Sequence, residues 1–219
     1  MTITEKQVEA GQAVYSKSTL AIYDWLVLRF SNRLIWTCPS KRILALYDRH
    51  VTGNHLDVGV GTGYFLDRCR FPSDRPRLGL MDLNLSCLDA AATRVARYRP
   101  EIYRANVLDP IGLEIPRFDS ISMTYLLHCL PGTIKTKGAV FQHLKPLLNQ
   151  GGVMFGATLL SEGVDRGWAA KKLMAFYNSK GIFTNDQDDL QGLRSMLSEH
   201  LTEVTVEVVG CAALFSGRV

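Results

Sequence analysis

The sequence predicts an α/β fold: a mostly parallel sheet of about seven strands, closed by a C-terminal antiparallel hairpin and preceded by an N-terminal helical cap. Three observations predict it. Short apolar or β-branched runs bounded by Gly, Pro, Asp or Asn recur along the chain. Helical segments lie between them. The last quarter then switches to two strand-like runs joined through Gly210.

In chain order, residues 14–30 mix Tyr15, Tyr23, Trp25 and Phe30 with aliphatic residues at helical spacing. Residues 40–50 form a second expected helix, with Pro39 near its start. Strands are expected at 54–60, 77–82, 101–107, 119–126 and 151–160, and helices at 64–69, 85–98 and 133–148. Alternation of this kind implies a parallel sheet covered by helices on both faces. Asn185 is a candidate cap for a helix carrying Leu190, Leu193, Leu197 and Leu201. TEVTVEVVG and CAALFSGRV then read as the closing hairpin. Nothing resembles a linker, so the 219 residues read as one domain.

Composition excludes several classes. With 47% hydrophobic and 21% charged residues, the chain is too apolar to be mainly disordered. A formal charge of +4 falls short of the concentrated positive field of a dedicated nucleic-acid binder. Asp24, Arg29 and Arg33 interrupt the most apolar early stretch, so no membrane span is expected. The polar N-terminus fits neither a secretory nor a transit signal. Five scattered cysteines without a CxxC point to reduced thiols in a cytoplasmic protein, and no histidine pair has metal-ligand spacing.

The sharpest feature is Leu56-Asp57-Val58-Gly59-Val60-Gly61-Thr62-Gly63, which follows a strand and opens a helix. Alternate glycines allow a tight turn and close approach of a ligand. A dinucleotide-binding loop wants a glycine where this chain has Tyr64. Asp57 ahead of the first glycine would repel a pyrophosphate and attract an ammonium group. These residues speak against a nicotinamide cofactor.

DVGVGTG resembles the first motif of the class I S-adenosylmethionine (SAM)-dependent methyltransferases. Asp82 in GLMDLN matches that family's ribose-holding acid, with Leu83 beside it. Ala105-Asn106-Val107 takes the place of the adenine-contacting segment, where the family more often carries Asp. Phe118-Asp119 leading into SISMTYLLHCL, and GGVMFGATLL, are similar to its later strand motifs. The resemblance spans residues 54–160 and reaches the closing hairpin. It implies a Rossmann-like sheet, SAM as cofactor, and a division into cap (1–50), SAM-binding core (51–160) and acceptor side (161–219).

The cofactor residues so implied are Asp57, Gly59, Gly61, Thr62, Gly63, Asp82, Leu83, Asn106 and Val107. Thr124 and Tyr125 at the fourth strand's end are expected contacts beside the sulfonium. His128 is the candidate general base, the alternative being a histidine that merely opens the next helix. Tyr15, Tyr23 and Trp36 are candidates for closing the cap or for packing. The aromatic run Trp168, Phe176, Tyr177 and Phe183 with Met174 suggests a small, fairly apolar or aromatic acceptor, the alternative being ordinary core packing; oxygen is the first expected acceptor atom, with nitrogen and carbon open. Competing expectations are a SAM-binding isomerase or cyclase without methyl transfer, a nicotinamide-dependent oxidoreductase, and an RNA or protein methyltransferase.

Overall fold

The computed structural model describes residues 32–112 and 114–219. The expected helix over 14–30, with Tyr15 and Tyr23, lies outside them. After a short helical turn at Asn32–Leu34 the elements are α1 (Ser40–His50), β1 (Asn54–Val58), α2 (Tyr64–Arg68), β2 (Arg77–Asp82), α3 (Leu85–Arg94) and β3 (Glu101–Arg104). There follow β4 (Phe118–Thr124), α4 (Ala139–Leu144), β5 (Leu148–Leu159), α5 (Trp168–Ser179), α6 (Leu190–His200), β6 (Thr202–Val209) and β7 (Ala212–Arg218). They form one seven-stranded sheet in the order β3-β2-β1-β4-β5-β7-β6. The first five strands are parallel, and β7 runs antiparallel to both β5 and β6.

Both faces are buried, which is why the central strands read as continuous apolar runs. On one face Ile43 and Tyr47 of α1, Phe65 and Leu66 of α2, Leu88 of α3 and Met174 of α5 pack over β2 and β5. On the other, Phe141 and Leu144 of α4 and Leu193 and Leu197 of α6 cover Leu56, Ile121 and Met154. The order reverses between β1 and β4, and such a switch point is where open parallel sheets bind ligands.

β1 and β3 end at Val58 and Arg104, short of the expected 60 and 107, and three further differences from the sequence expectation have a physical cause. The 133–148 helix is a 3₁₀ turn (Thr136–Gly138), the short α4 and a second 3₁₀ turn (Lys145–Leu147), with Pro146 unable to continue α4's hydrogen bonding. Asn185 does not cap α6. Asp189 does, its Oδ1 accepting the Gly192 N–H at 2.8 Å. Asn185 is instead fully buried and donates to the Leu159 carbonyl at 2.9 Å. Finally, β4 stops at Thr124 because Tyr125 adopts a left-handed backbone, φ 61°, which costs a non-glycine residue about 1–2 kcal/mol.

Candidate active site

The glycine loop runs from the end of β1 to the start of α2. Gly59 has φ 71°, and a Cβ there would sit 2.9 Å from Leu126 Cδ1, so both backbone and space demand glycine. Gly63 caps α2 at φ 71° with the backbone of Ala91 3.1 Å from where its Cβ would lie, which lets α2 nest against α3. Gly61 lies between them, also at positive φ.

Two cavities open on this edge of the sheet, about 720 and 500 Å³ of non-protein space with their mouths included. The first lies over the ends of β2 and β3, where Asp82, Leu83, Asn106 and Val107 line it with the apolar Leu126 and Leu130. The second lies against the loop itself, lined by Tyr47, Asp57, Thr62, Gly63 and Thr124. Gly59 and Tyr125 belong to both, so the cavities meet at the turn leaving β1.

Each cavity holds one acid in a place that raises its pKa. Burial pushes Asp57 up to about 7, against the hydroxyls of Ser122 and Tyr47, which favour the carboxylate. Tyr47 donates to Oδ1 at 2.9 Å, and Ser122 Oγ donates to the same oxygen. Burial likewise lifts Asp82 to about 6, opposed by the backbone N–H groups of Asn84, Gly61, Leu83 and Val60. The Asn84 N–H lies 2.8 Å from Asp82 Oδ1. Asp82 therefore gathers the glycine loop and the end of β2 around one carboxylate. Gly61 and Leu83 act there through their backbones.

Of the other predicted residues, Thr62 lines the second cavity and accepts from Arg94 at 3.2 Å. Thr124 Oγ1 is buried and has no hydrogen-bond partner among the described residues. Asn106 caps its own turn, accepting the Leu108 N–H at 3.2 Å and donating to Asp109 at 2.7 Å. Tyr125 donates from its hydroxyl to Asn32 Oδ1 at 3.2 Å, tying the cavity junction to the segment before α1.

His128 departs from its expected role. It is 3% exposed and lines neither cavity. Its Nδ1 accepts the Leu159 N–H at 3.3 Å, and its ring packs edge-on to Phe183 with centroids 4.5 Å apart. Burial, with a smaller push from Lys137, lowers its pKa to about 3, so near neutral pH the ring is a weak base. Trp36, expected near the cofactor or in packing, is 2% exposed in the core and 6.2 Å from Phe183 between centroids. Trp168 and Phe176 face solvent, while Met174 and Phe183 are buried.

Sequence reading missed Tyr47 and Ser122. Tyr47 carries no signal of its own, since it sits on α1 ten residues before the acid it meets. Ser122 did carry one: it shares a strand face with Ser120, and the pair stands opposite Asp57 and His55 of β1.

The arrangement suits a nucleoside with a charged tail. One cavity offers an acid and apolar walls, the other a second buried acid, and between them runs a turn with glycine at every other position. That combination of fold and cavities fits a nucleoside with a cationic tail better than a dinucleotide. Residues 56–154 match the family described as a methyltransferase domain. The demethylluteothin O-methyltransferase of Streptomyces thioluteus is 40% identical over 213 residues, covering 97% of this chain and 93% of that protein. The physcion biosynthesis cluster O-methyltransferase of Aspergillus chevalieri is 37% identical, covering 94% of each. The solved DhpI–SAH complex superposes with TM-score 0.68 over 99% of this chain and 98% of its own, at 13% identity, a likeness of fold. The chain belongs to the class I SAM-dependent methyltransferases, and SAM is its cofactor.

Proposed function

We propose that the enzyme methylates a hydroxyl oxygen of a small, largely apolar, ring-bearing molecule, as part of secondary metabolism. The observation that carries this reading is full-length similarity, at 40% and 37% identity, to enzymes named as O-methyltransferases. The lining of the first cavity agrees with it: Leu126, Leu130 and Pro131 are apolar, and Tyr125 stands at its junction with the second.

In this reading Asp82 accepts the ribose hydroxyls, and Leu83, Asn106 and Val107 bound the adenine. Asp57 receives the ammonium group, helped by Thr62, with Gly59, Gly61 and Gly63 forming the cradle. Thr124, whose buried hydroxyl has no hydrogen-bond partner among the described residues, lines the second cavity, and Tyr125 stands where the two cavities meet. Bound SAM supplies a methyl group on a sulfonium, whose transfer to a hydroxyl leaves the thioether and releases the hydroxyl's proton. The chain's contribution is then to position the reactants and exclude water. Buried, lining neither cavity and with its Nδ1 occupied, His128 serves in packing rather than as the base.

The remaining parts of the proposal concern context. The chain acts as one methyltransferase domain on small molecules, without nucleic acid, and its five cysteines, none in a disulfide, suit the cytoplasm. No helix among the described residues is long and apolar enough to cross a membrane. The test is turnover: the protein is incubated with SAM and a panel of phenolic, enolic and aliphatic alcohols, amines and carbon nucleophiles. Formation of S-adenosylhomocysteine (SAH) together with an O-methylated product is expected. Methylation confined to nitrogen or carbon would overturn the oxygen assignment.

A further inference from the structure

Beneath the second cavity lies a line of buried polar side chains that the methyl transfer does not explain. Parallel pairing of β1 and β4 sets His55 beside Ser120 and Asp57 beside Ser122, all on the face covered by α1. His55, Ser120 and Ser122 are 0% exposed and Asp57 is 5% exposed. His55 Nδ1 lies 2.7 Å from Ser120 Oγ, and Nε2 lies 2.9 Å from Ser122 Oγ. Ser122 Oγ in turn reaches Asp57 Oδ1, which also takes the Tyr47 hydroxyl.

The direction of every proton follows from the carboxylate. An ionised Asp57 only accepts, so Ser122 donates to it. Ser122 then accepts from His55 Nε2–H, which leaves His55 Nδ1 as the acceptor for the Ser120 hydroxyl. One neutral tautomer satisfies the whole chain, and burial keeps the ring neutral by lowering its pKa to about 3. Aromatic neighbours hold the ring still: it stacks on Phe155 at 5.7 Å, and Tyr47 stands edge-on at 6.4 Å.

Such a line is costly for stability alone. Buried polar groups in hydrogen-bonded chains are often no better than apolar side chains of similar size, and β-branched residues would fit these strand positions. The chain also has a direction: each donor points toward Asp57, whose Oδ2 has no hydrogen-bond partner among the described residues.

We propose that His55 and Ser122 are positioning residues for the cofactor's amino-acid end: they fix the orientation of the Asp57 carboxylate, and through it the placement of the ammonium group. This rests on the assignment of Asp57 to that end of the cofactor.

The test compares two probes on the full chain: SAH, and 5′-methylthioadenosine, a thioether nucleoside without the amino-acid end. Calorimetry on Ser122→Ala is expected to show SAH binding about five- to tenfold weaker, with the nucleoside's affinity changed less than about twofold. His55→Phe, which keeps a ring in the stack, is expected to behave likewise. Equal weakening of both probes would make the line merely structural and overturn the proposal, as would unchanged SAH affinity in Ser122→Ala. An effect of Ser122→Ala without one in a folded His55→Phe overturns the role of His55. Asp57→Asn is the control for the underlying assignment. If it leaves the ratio of the two affinities at the wild-type value, the assignment of Asp57 itself falls. If it moves the ratio while the other two do not, the positioning line alone falls.

Discussion

Asp57→Asn tests whether the site holds charge ready for its cofactor at the expense of stability. Burial moves the Asp57 pKa from the ordinary 3.8 to about 7. Between about pH 4 and pH 7 the folded protein binds a proton that the unfolded chain has released, so wild-type stability falls as pH rises across that window. At pH 8 the full penalty, about 4 kcal/mol, is present. Asn keeps an oxygen to accept from Tyr47 and Ser122 and carries no charge. Its amide N–H groups take the place of the free carboxylate oxygen and cost about 1–3 kcal/mol if unpaired. The net expectation is stabilisation of about 2 kcal/mol at pH 8, which in a chain of this length raises Tm by ~4–8 °C. Near pH 5, where wild-type Asp57 is largely protonated, the gain should vanish. Thermal unfolding of both proteins at the two pH values, followed by circular dichroism, makes the comparison. Calorimetry at pH 8 should show SAH bound at least tenfold more weakly by the variant. A variant no more stable than wild type at pH 8 would refute the claim that Asp57 is kept ionised in a dry, unfavourable site.

Other perturbations separate the remaining parts of the site. If Asp82 serves the nucleoside end, as proposed, Asp82→Ala should weaken SAH and 5′-methylthioadenosine alike, by about 1–3 kcal/mol; calorimetry that finds only SAH affected would contradict this. The fully buried Lys137 donates to Asp188 at 2.6 Å and to the Thr184 carbonyl at 2.8 Å, tying the segment before α6 to that before α4. Lys137→Met, which strands the acid, should cost about 3–5 kcal/mol in urea unfolding, and adding Asp188→Leu should recover much of it. A cost below about 1 kcal/mol for Lys137→Met would mean that water reaches the pair.

The central strands, the glycine loop and the closing hairpin were legible because their signals are local. A buried parallel strand must be apolar on both faces, and a turn at positive φ must carry glycine. Gly59 and Gly63 could be read this way, as could Asp57 and Asp82 at the ends of β1 and β2. Element ends were less legible. Tyr125 reads as an ordinary strand residue, and only packing at the cavity junction shows it turned left-handed. Asn185 and Asp189 are both good cap residues, and burial of the first against Leu159 decided between them.

His128 shows the limit of residue type. A histidine after the fourth strand has a suitable ordinary pKa for a base, but burial beside Phe183 and Lys137 removes its basicity. The reverse holds for His55, which reads as a strand residue and lies one serine away from the Asp57 carboxylate. What the chain's own order determined was the fold, the cofactor class and the two acids, since each follows from neighbours a few residues apart. Only the tertiary structure decided which polar groups meet those acids. Tyr47 and Ser122 reach Asp57 from ten and 65 residues away, and hydrogen bonding depends on distance in space, to which separation along the chain is no guide.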